Sequence, residues 1–236
     1  MMAACDNRDA NLVFRVLRHR VRSRAGGQRT TVDDMHAPDP SLVVRDPVAL
    51  LERARRQWGG ADDLWVFGYG SLIWRPEFDF IERRPSAVHG FHRSLAMRSR
   101  INRGTPQCPG LVFAMVSGGS CRGVVYRIAH ERADAELERL WLREMPTGVY
   151  EPRWLRCRTA EGDVTALGFT LSRSSPNYTG PLADDALLEI FRLACGRYGS
   201  TLDYLLYTAK GLRESGIRDH EVERLVGLAT RHGLAG

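Results

Sequence analysis

Two features of this sequence could do chemistry: a carboxylate on an otherwise apolar helix face, and a strand that ends in glycine and serine. Over Asp134 to Glu144 the apolar residues Leu137, Leu140 and Trp141 recur at i, i+3 and i+4, which predicts an amphipathic helix, and position i+7 of that stripe is Glu144. Glu136, Glu138, Arg139 and Arg143 are predicted to face solvent, so Glu144 alone of these charges is expected to enter the interior. Desolvation and the negative end of the helix dipole would both raise its pKa, toward the range where a carboxyl group can take and return a proton near neutrality. The same position also suits a structural role, since a carboxylate in the last turn before Pro146 can bond a loop donor or pair with an arginine.

The second feature is Trp65-Val66-Phe67-Gly68-Tyr69-Gly70-Ser71-Leu72-Ile73-Trp74, an apolar strand that runs into two glycines and a serine. Gly68 and Gly70 are expected to permit positive φ and close approach of a ligand to the backbone. The turn at Ser71 is expected to leave N–H groups pointing outward, which favours an anionic ligand such as a carboxylate. Ser71 is not set up as a hydrolase nucleophile, because the elbow pattern Gly-x-Ser-x-Gly is absent. Tyr69 also suits plain core packing. His89 and His92 lie three apart in a strand-like segment with no third ligand, and the five cysteines (5, 108, 121, 157, 195) form no CxxC pair. Neither a metal site nor a disulfide framework is indicated, and a reducing cytoplasm is the expected setting.

Positioning these groups requires the rest of the chain. Asp46 as N-cap and Pro47 at the first helical position predict a helix to Gln57, ending near Gly59-Gly60. Strands are predicted at Leu64 to Gly68, Ser86 to Ala96, Gly110 to Val116, Cys121 to Ile128, Glu151 to Arg158 and Asp163 to Leu171. Helices are predicted over Arg132 to Met145, Pro181 to Cys195, Thr201 to Ser215 and Asp219 to Arg231. Mostly antiparallel strands with helices outside suggest an α+β fold, a small antiparallel or mixed β-barrel flanked by helices.

At 236 residues the chain can bury one sizeable core. Residues 1–45 are expected to form a flexible extension, with a short helix around Leu12 to Arg20, and residues 46–236 the folded domain; Met35 is a candidate natural start. The net charge is +6, but residues 1–34 hold seven Arg against four Asp, so half of the basic excess sits in that extension. All but one of the 34 basic residues are Arg, which looks like coding bias more than a phosphate-binding face, and no nucleic-acid partner is expected. No stretch approaches the ~20 apolar residues of a membrane span, so a soluble protein is expected.

Four motifs then stand in a particular order: the glycine-rich strand end, the basic segment Arg98-Ser99-Arg100-Ile101-Asn102-Arg103-Gly104-Thr105-Pro106, Leu142-Arg143-Glu144-Met145 with Gly148 and Tyr150, and Pro176-Asn177-Tyr178-Thr179-Gly180-Pro181. This order resembles the ChaC family of γ-glutamylcyclotransferases, from about Trp65 to the C-terminus. The resemblance implies conversion of glutathione into 5-oxoproline and cysteinylglycine without metal or organic cofactor. It implies that Val66, Phe67, Gly68, Tyr69, Gly70, Ser71 and Leu72 form the substrate loop and that Glu144 is the catalytic carboxylate. Arg103 is then a candidate partner for a glutathione carboxylate and Tyr178 for a hydrogen bond to substrate or closure of the pocket, while a solvated turn residue and a loop-pinning residue are the respective alternatives. Where eukaryotic members often have Gly-Gly-Tyr after that glutamate, this chain has Met145-Pro146-Thr147-Gly148-Val149-Tyr150, which looks like the bacterial branch. The rival readings are a cyclotransferase for other γ-glutamyl amides, a basic binding module using Arg98, Arg100 and Arg103, and a catalytically silent regulator of transport.

Overall fold

The computed structural model describes residues 45–236, so the predicted helix around Leu12 to Arg20 and the start at Met35 lie outside the described residues. Helix α1, Pro47–Trp58, begins where the Asp46 side chain accepts a hydrogen bond from the Val48 N–H, and stops at Gly59, whose φ of 81° lies in the left-handed region that glycine adopts at little cost. Strand β1, Leu64–Gly68, runs into a single 3-10 turn, Ser71–Ile73. Strands β2, Glu82–Ser99, and β3, Gly110–Ile128, form a long hairpin, followed by helix α2, His130–Glu144. Strands β4, Glu151–Thr159, and β5, Gly162–Thr170, precede helix α3, Asp184–Leu193. The chain finishes with a two-residue pair, β6, Cys195–Gly196, and β7, Gly199–Ser200, then helices α4, Thr201–Glu214, and α5, His220–Arg231.

The five long strands close into a barrel in the order β1-β3-β2-β4-β5. Neighbours are antiparallel except at the closure, where β1 meets β5 in parallel through Val66 and Leu167. The expected strands Gly110 to Val116 and Cys121 to Ile128 are therefore one strand. Opposite Gly90 (φ 86°), Gly118 (φ 100°) and Gly119 (φ 71°) carry the ladder through a bulge, where the pairing steps from His89 with Ser120 to Phe91 with Ser117. Glycines that read as a stop in the sequence serve here as a bend that keeps the pairing going.

Phe67, Phe113, Met115, Tyr126 and Phe169 are fully buried in one continuous core. Leu137, Leu140 and Trp141 of α2 join it, as do Tyr204, Leu205 and Leu212 of α4. At about 25 cal/mol per Å² of apolar area removed from water, side chains of this size hold the helices to the barrel by about 1.5–3 kcal/mol each. No helix among the described residues is long and apolar enough to cross a membrane.

Candidate active site

The strand end at Tyr69 is held from beneath by a buried arginine. Arg93 of β2, 4% exposed, donates from Nε to the Tyr69 carbonyl (2.6 Å) and from Nη2 to the Arg122 carbonyl (2.5 Å), while Nη1 pairs with Asp219, the N-cap of α5. Charge-assisted bonds of this kind are stronger than neutral ones, and a guanidinium this buried requires its full set of acceptors. The turn that follows closes through Ile73 N–H to Gly70 O (3.0 Å) and Arg75 N–H to Ser71 O (2.8 Å). The Tyr126 hydroxyl donates to the Leu72 carbonyl at 2.7 Å. The first N–H groups of such a turn have no acceptor within it, which leaves them for a ligand.

Neither Gly68 nor Gly70 takes the positive φ expected of it; what they supply is space. A Cβ on Gly70 would lie 2.6 Å from the Tyr204 hydroxyl oxygen, and one on Gly68 would lie 3.0 Å from the Leu72 Cβ and 3.3 Å from the Tyr126 ring.

Glu144 is the last residue of α2, and its side chain is 15% exposed. Arg143 Nε sits 2.9 Å from Glu144 Oε1. The same guanidinium donates to Ser71 Oγ (3.0 Å), Pro76 O (3.0 Å) and Glu77 Oε2 (2.9 Å), and also to the Arg75 carbonyl. One cation therefore ties the carboxylate to the glycine loop. This corrects the expectation that Arg143 faces solvent: the loop carbonyls and Ser71 offer acceptors that draw it inward. Glu136 is a second correction, because its side chain is 3% exposed. It lies on the edge of the stripe one turn before Leu140, where Arg132 (3.3 Å) and Arg139 (3.3 Å) cover it.

Glu144 and the loop line one cavity of about 280 Å³, counting its opening to solvent, together with Phe113, Tyr150, Phe169 and Tyr204. Burial raises the Glu144 pKa above the ordinary carboxylate value; the Arg143 guanidinium pulls it back down and the Glu77 charge adds a smaller push upward. Burial also holds Tyr69 and Tyr150 well above the ordinary phenol value, and Tyr204 at about 12. All three phenols therefore keep their protons at neutral pH. Tyr204 accepts a hydrogen bond from the Phe113 N–H (3.3 Å), so its own O–H is left to donate. The arrangement combines one carboxyl group of raised pKa with phenolic and backbone donors around one pocket, which suits proton transfer beside an acyl carbon whose oxygen gains charge.

A family model for ChaC-like proteins matches residues 64–232. This chain belongs to the ChaC-like family. It is 34% identical to the glutathione-specific γ-glutamylcyclotransferase of Escherichia coli (strain K12) over 69% of this chain and 71% of that one. It is 30% identical to glutathione-specific γ-glutamylcyclotransferase 1 of Mus musculus over 80% and 86%. The fold is similar to the crystal structure of a yeast γ-glutamyl cyclotransferase specific to glutathione, with a TM-score of 0.66, 22% identity, and coverage of 72% of this chain and 96% of the other.

Within the ChaC-like pattern the structure separates the residues taken from the sequence. Tyr69, Gly70, Ser71, Leu72 and Glu144 line the cavity together. Val66 and Phe67 do not; both are fully buried in the barrel wall, and Gly68 packs on Leu72 and Tyr126. Arg103, 5% exposed, donates through Nη1 to the Tyr198 and Ser200 carbonyls and lies 5.4 Å over the Tyr204 ring, so it supports a cavity wall from behind. Tyr178 bridges to Met97, takes a hydrogen bond from Arg173 (3.2 Å) and packs with Ala114, Val116 and Leu171. Sequence reasoning missed Phe113, Phe169 and Tyr204 as cavity residues. Each reads as an ordinary core aromatic in its element, and only the barrel closure and the packing of α4 bring them to Gly70.

Proposed function

We propose that this protein is a γ-glutamylcyclotransferase that cleaves glutathione to 5-oxoproline and cysteinylglycine in the cytoplasm, a lyase-type reaction consuming no water. The observation that carries the reading is that Glu144 and the Tyr69-Gly70-Ser71-Leu72 loop line the same cavity. The α-amino nitrogen of the γ-glutamyl group attacks its own γ-carbonyl carbon, a C–N bond closes the five-membered ring, and the bond to the cysteinyl nitrogen breaks. Glu144 takes the proton that the attacking amine loses and returns it to the departing amine, so one carboxyl group serves both transfers. Holding the γ-glutamyl arm folded in a small cavity removes much of the entropic barrier of ring closure.

The N–H groups at the start of the 3-10 turn, with the Tyr204 O–H, are assigned to the charge on the carbonyl oxygen or the glutamyl carboxylate. Arg103 and Tyr178 are assigned supporting roles, Arg103 through the Tyr198–Ser200 segment and Tyr204. Only protons and one acyl group move, so neither metal nor organic cofactor is required.

Purified protein given glutathione should release 5-oxoproline, detected by chromatography, together with an equal amount of cysteinylglycine. A matched incubation with γ-glutamyl dipeptides reads the specificity. Absence of 5-oxoproline from every γ-glutamyl substrate would end the proposal.

A further inference from the structure

The chain at the start of α1, Arg45 to Pro47, reaches across to the segment that carries Glu144 in three contacts. Trp141, three residues before Glu144 on α2, donates its indole N–H to the Pro47 carbonyl at 2.7 Å. Gly148, four residues after Glu144, has a φ of 65° and lies so close beneath Arg45 that a Cβ there would be 2.4 Å from the Arg45 carbonyl oxygen. The Arg45 guanidinium pairs with Glu151, whose own backbone carbonyl is bonded by Thr170 Oγ1 at 3.0 Å. The span from Trp141 to Glu151 contains both Glu144 and Tyr150 of the cavity. Within it the Met145 N–H donates to Trp141 O (2.8 Å) and the Gly148 N–H to Met145 O (3.3 Å), so movement at one end is passed to the other.

We propose that Arg45 is a positioning residue for the reaction, and that Arg45 to Pro47 brace the turn after α2 so that Glu144 points into the cavity and stays partly dry. The inference rests on the cyclotransferase reading. It assigns a functional part to residues ahead of Leu64, where the family match begins. The physical reason is the sensitivity of proton transfer to distance: a displacement of about 1 Å of the proton carrier can cost about 100-fold in rate, whereas glutamyl binding rests on the loop at the other side of the cavity.

The test uses full-length Arg45→Ala, Arg45→Lys and Gly148→Ala, each beside the wild type. Arg45→Ala and Gly148→Ala should lower kcat by about 10-fold with KM within about 2-fold, and Arg45→Lys should recover most of kcat because it keeps the charge opposite Glu151. Water admitted to Glu144 should move the acid limb of the kcat profile to lower pH, toward an ordinary carboxylate, in the two impaired variants.

Amide hydrogen exchange across residues 145–150 should quicken in those variants, a readout that does not depend on which substrate is turned over. It therefore separates failure of the brace from failure of the cyclotransferase reading, which the wild type with glutathione reports. If Gly148→Ala does not fold, Arg45→Ala decides, since its side chain is 37% exposed and its removal leaves the core intact. Unchanged kcat and exchange in Arg45→Ala would overturn the proposal, and so would a fall in kcat that follows thermal stability with the acid limb unmoved.

Discussion

Glu144 sits where a carboxylate is useful for proton transfer and unfavourable for stability, and the two consequences can be measured in one variant. Its pKa is raised in the folded chain, chiefly by burial, so the native state binds the proton more tightly than the unfolded state does. That contribution to stability is present at low pH and lost as pH rises through the folded-state value; at neutral pH the ionised group weakens the fold. Glu144→Gln is permanently neutral, so at pH 7 its Tm should equal or exceed that of the wild type, while kcat falls by about 10²–10⁴-fold. A variant with full activity would remove Glu144 from the mechanism. In the proposed mechanism the carboxylate is the active form, so the kcat of the wild type should fall on the acid side with an apparent pKa above the ordinary value of about 4.3. The sequence pattern shows this residue's place on the helix, but not the neighbours that tune it: Arg143 lies on the polar side of the stripe, and Glu77 is distant in the chain.

At the scale of elements, the glycine loop is a contact between the end of β1, the 3-10 turn and α4, and Gly70 is the point where they meet. Gly70→Ala would place a Cβ 2.6 Å from the Tyr204 oxygen and 3.8 Å from the Phe113 Cβ, so the phenol must move and lose its bond from the Phe113 N–H. Stability should drop by about 1–3 kcal/mol, as for other overpacked sites, with a rise in KM for glutathione. Adding Tyr204→Phe removes the colliding oxygen and should recover Tm without recovering KM. If the double variant is no more stable than Gly70→Ala alone, the close approach is not what glycine supplies here. Loop and strand end were readable from the residues Phe67 to Leu72. Tyr204, in an element more than a hundred positions later, carried no local signal that would have paired it with Gly70. The 117–120 segment was misread for a related reason: Gly118 and Gly119 look like punctuation until Gly90 is seen opposite them.

For the whole molecule, the barrel wall gives a probe of global integrity. Cys121 and Cys157 flank Val88 on the two neighbouring strands and are 1% and 0% exposed, and burial pushes their thiols up, Cys157 to about 12. Buried, protonated thiols are poor nucleophiles, so both should resist alkylation at pH 8 until denaturant opens the barrel. Labelling of either thiol in native protein would show that the barrel opens without unfolding. By itself the sequence determined most of the strands and helices, though not the continuity of β3 or the short pair β6 and β7, as well as the glycine-rich turn after β1 and the carboxylate at the end of an apolar stripe, because period and capping are local properties of neighbouring residues. Tertiary structure decided that β1 closes on β5, that Arg93 holds the loop from below, that three phenols surround Glu144, and that Arg45 reaches the turn behind it. Those facts depend on residues far apart in the chain being packed into the same few ångströms, and no spacing along one segment can specify that.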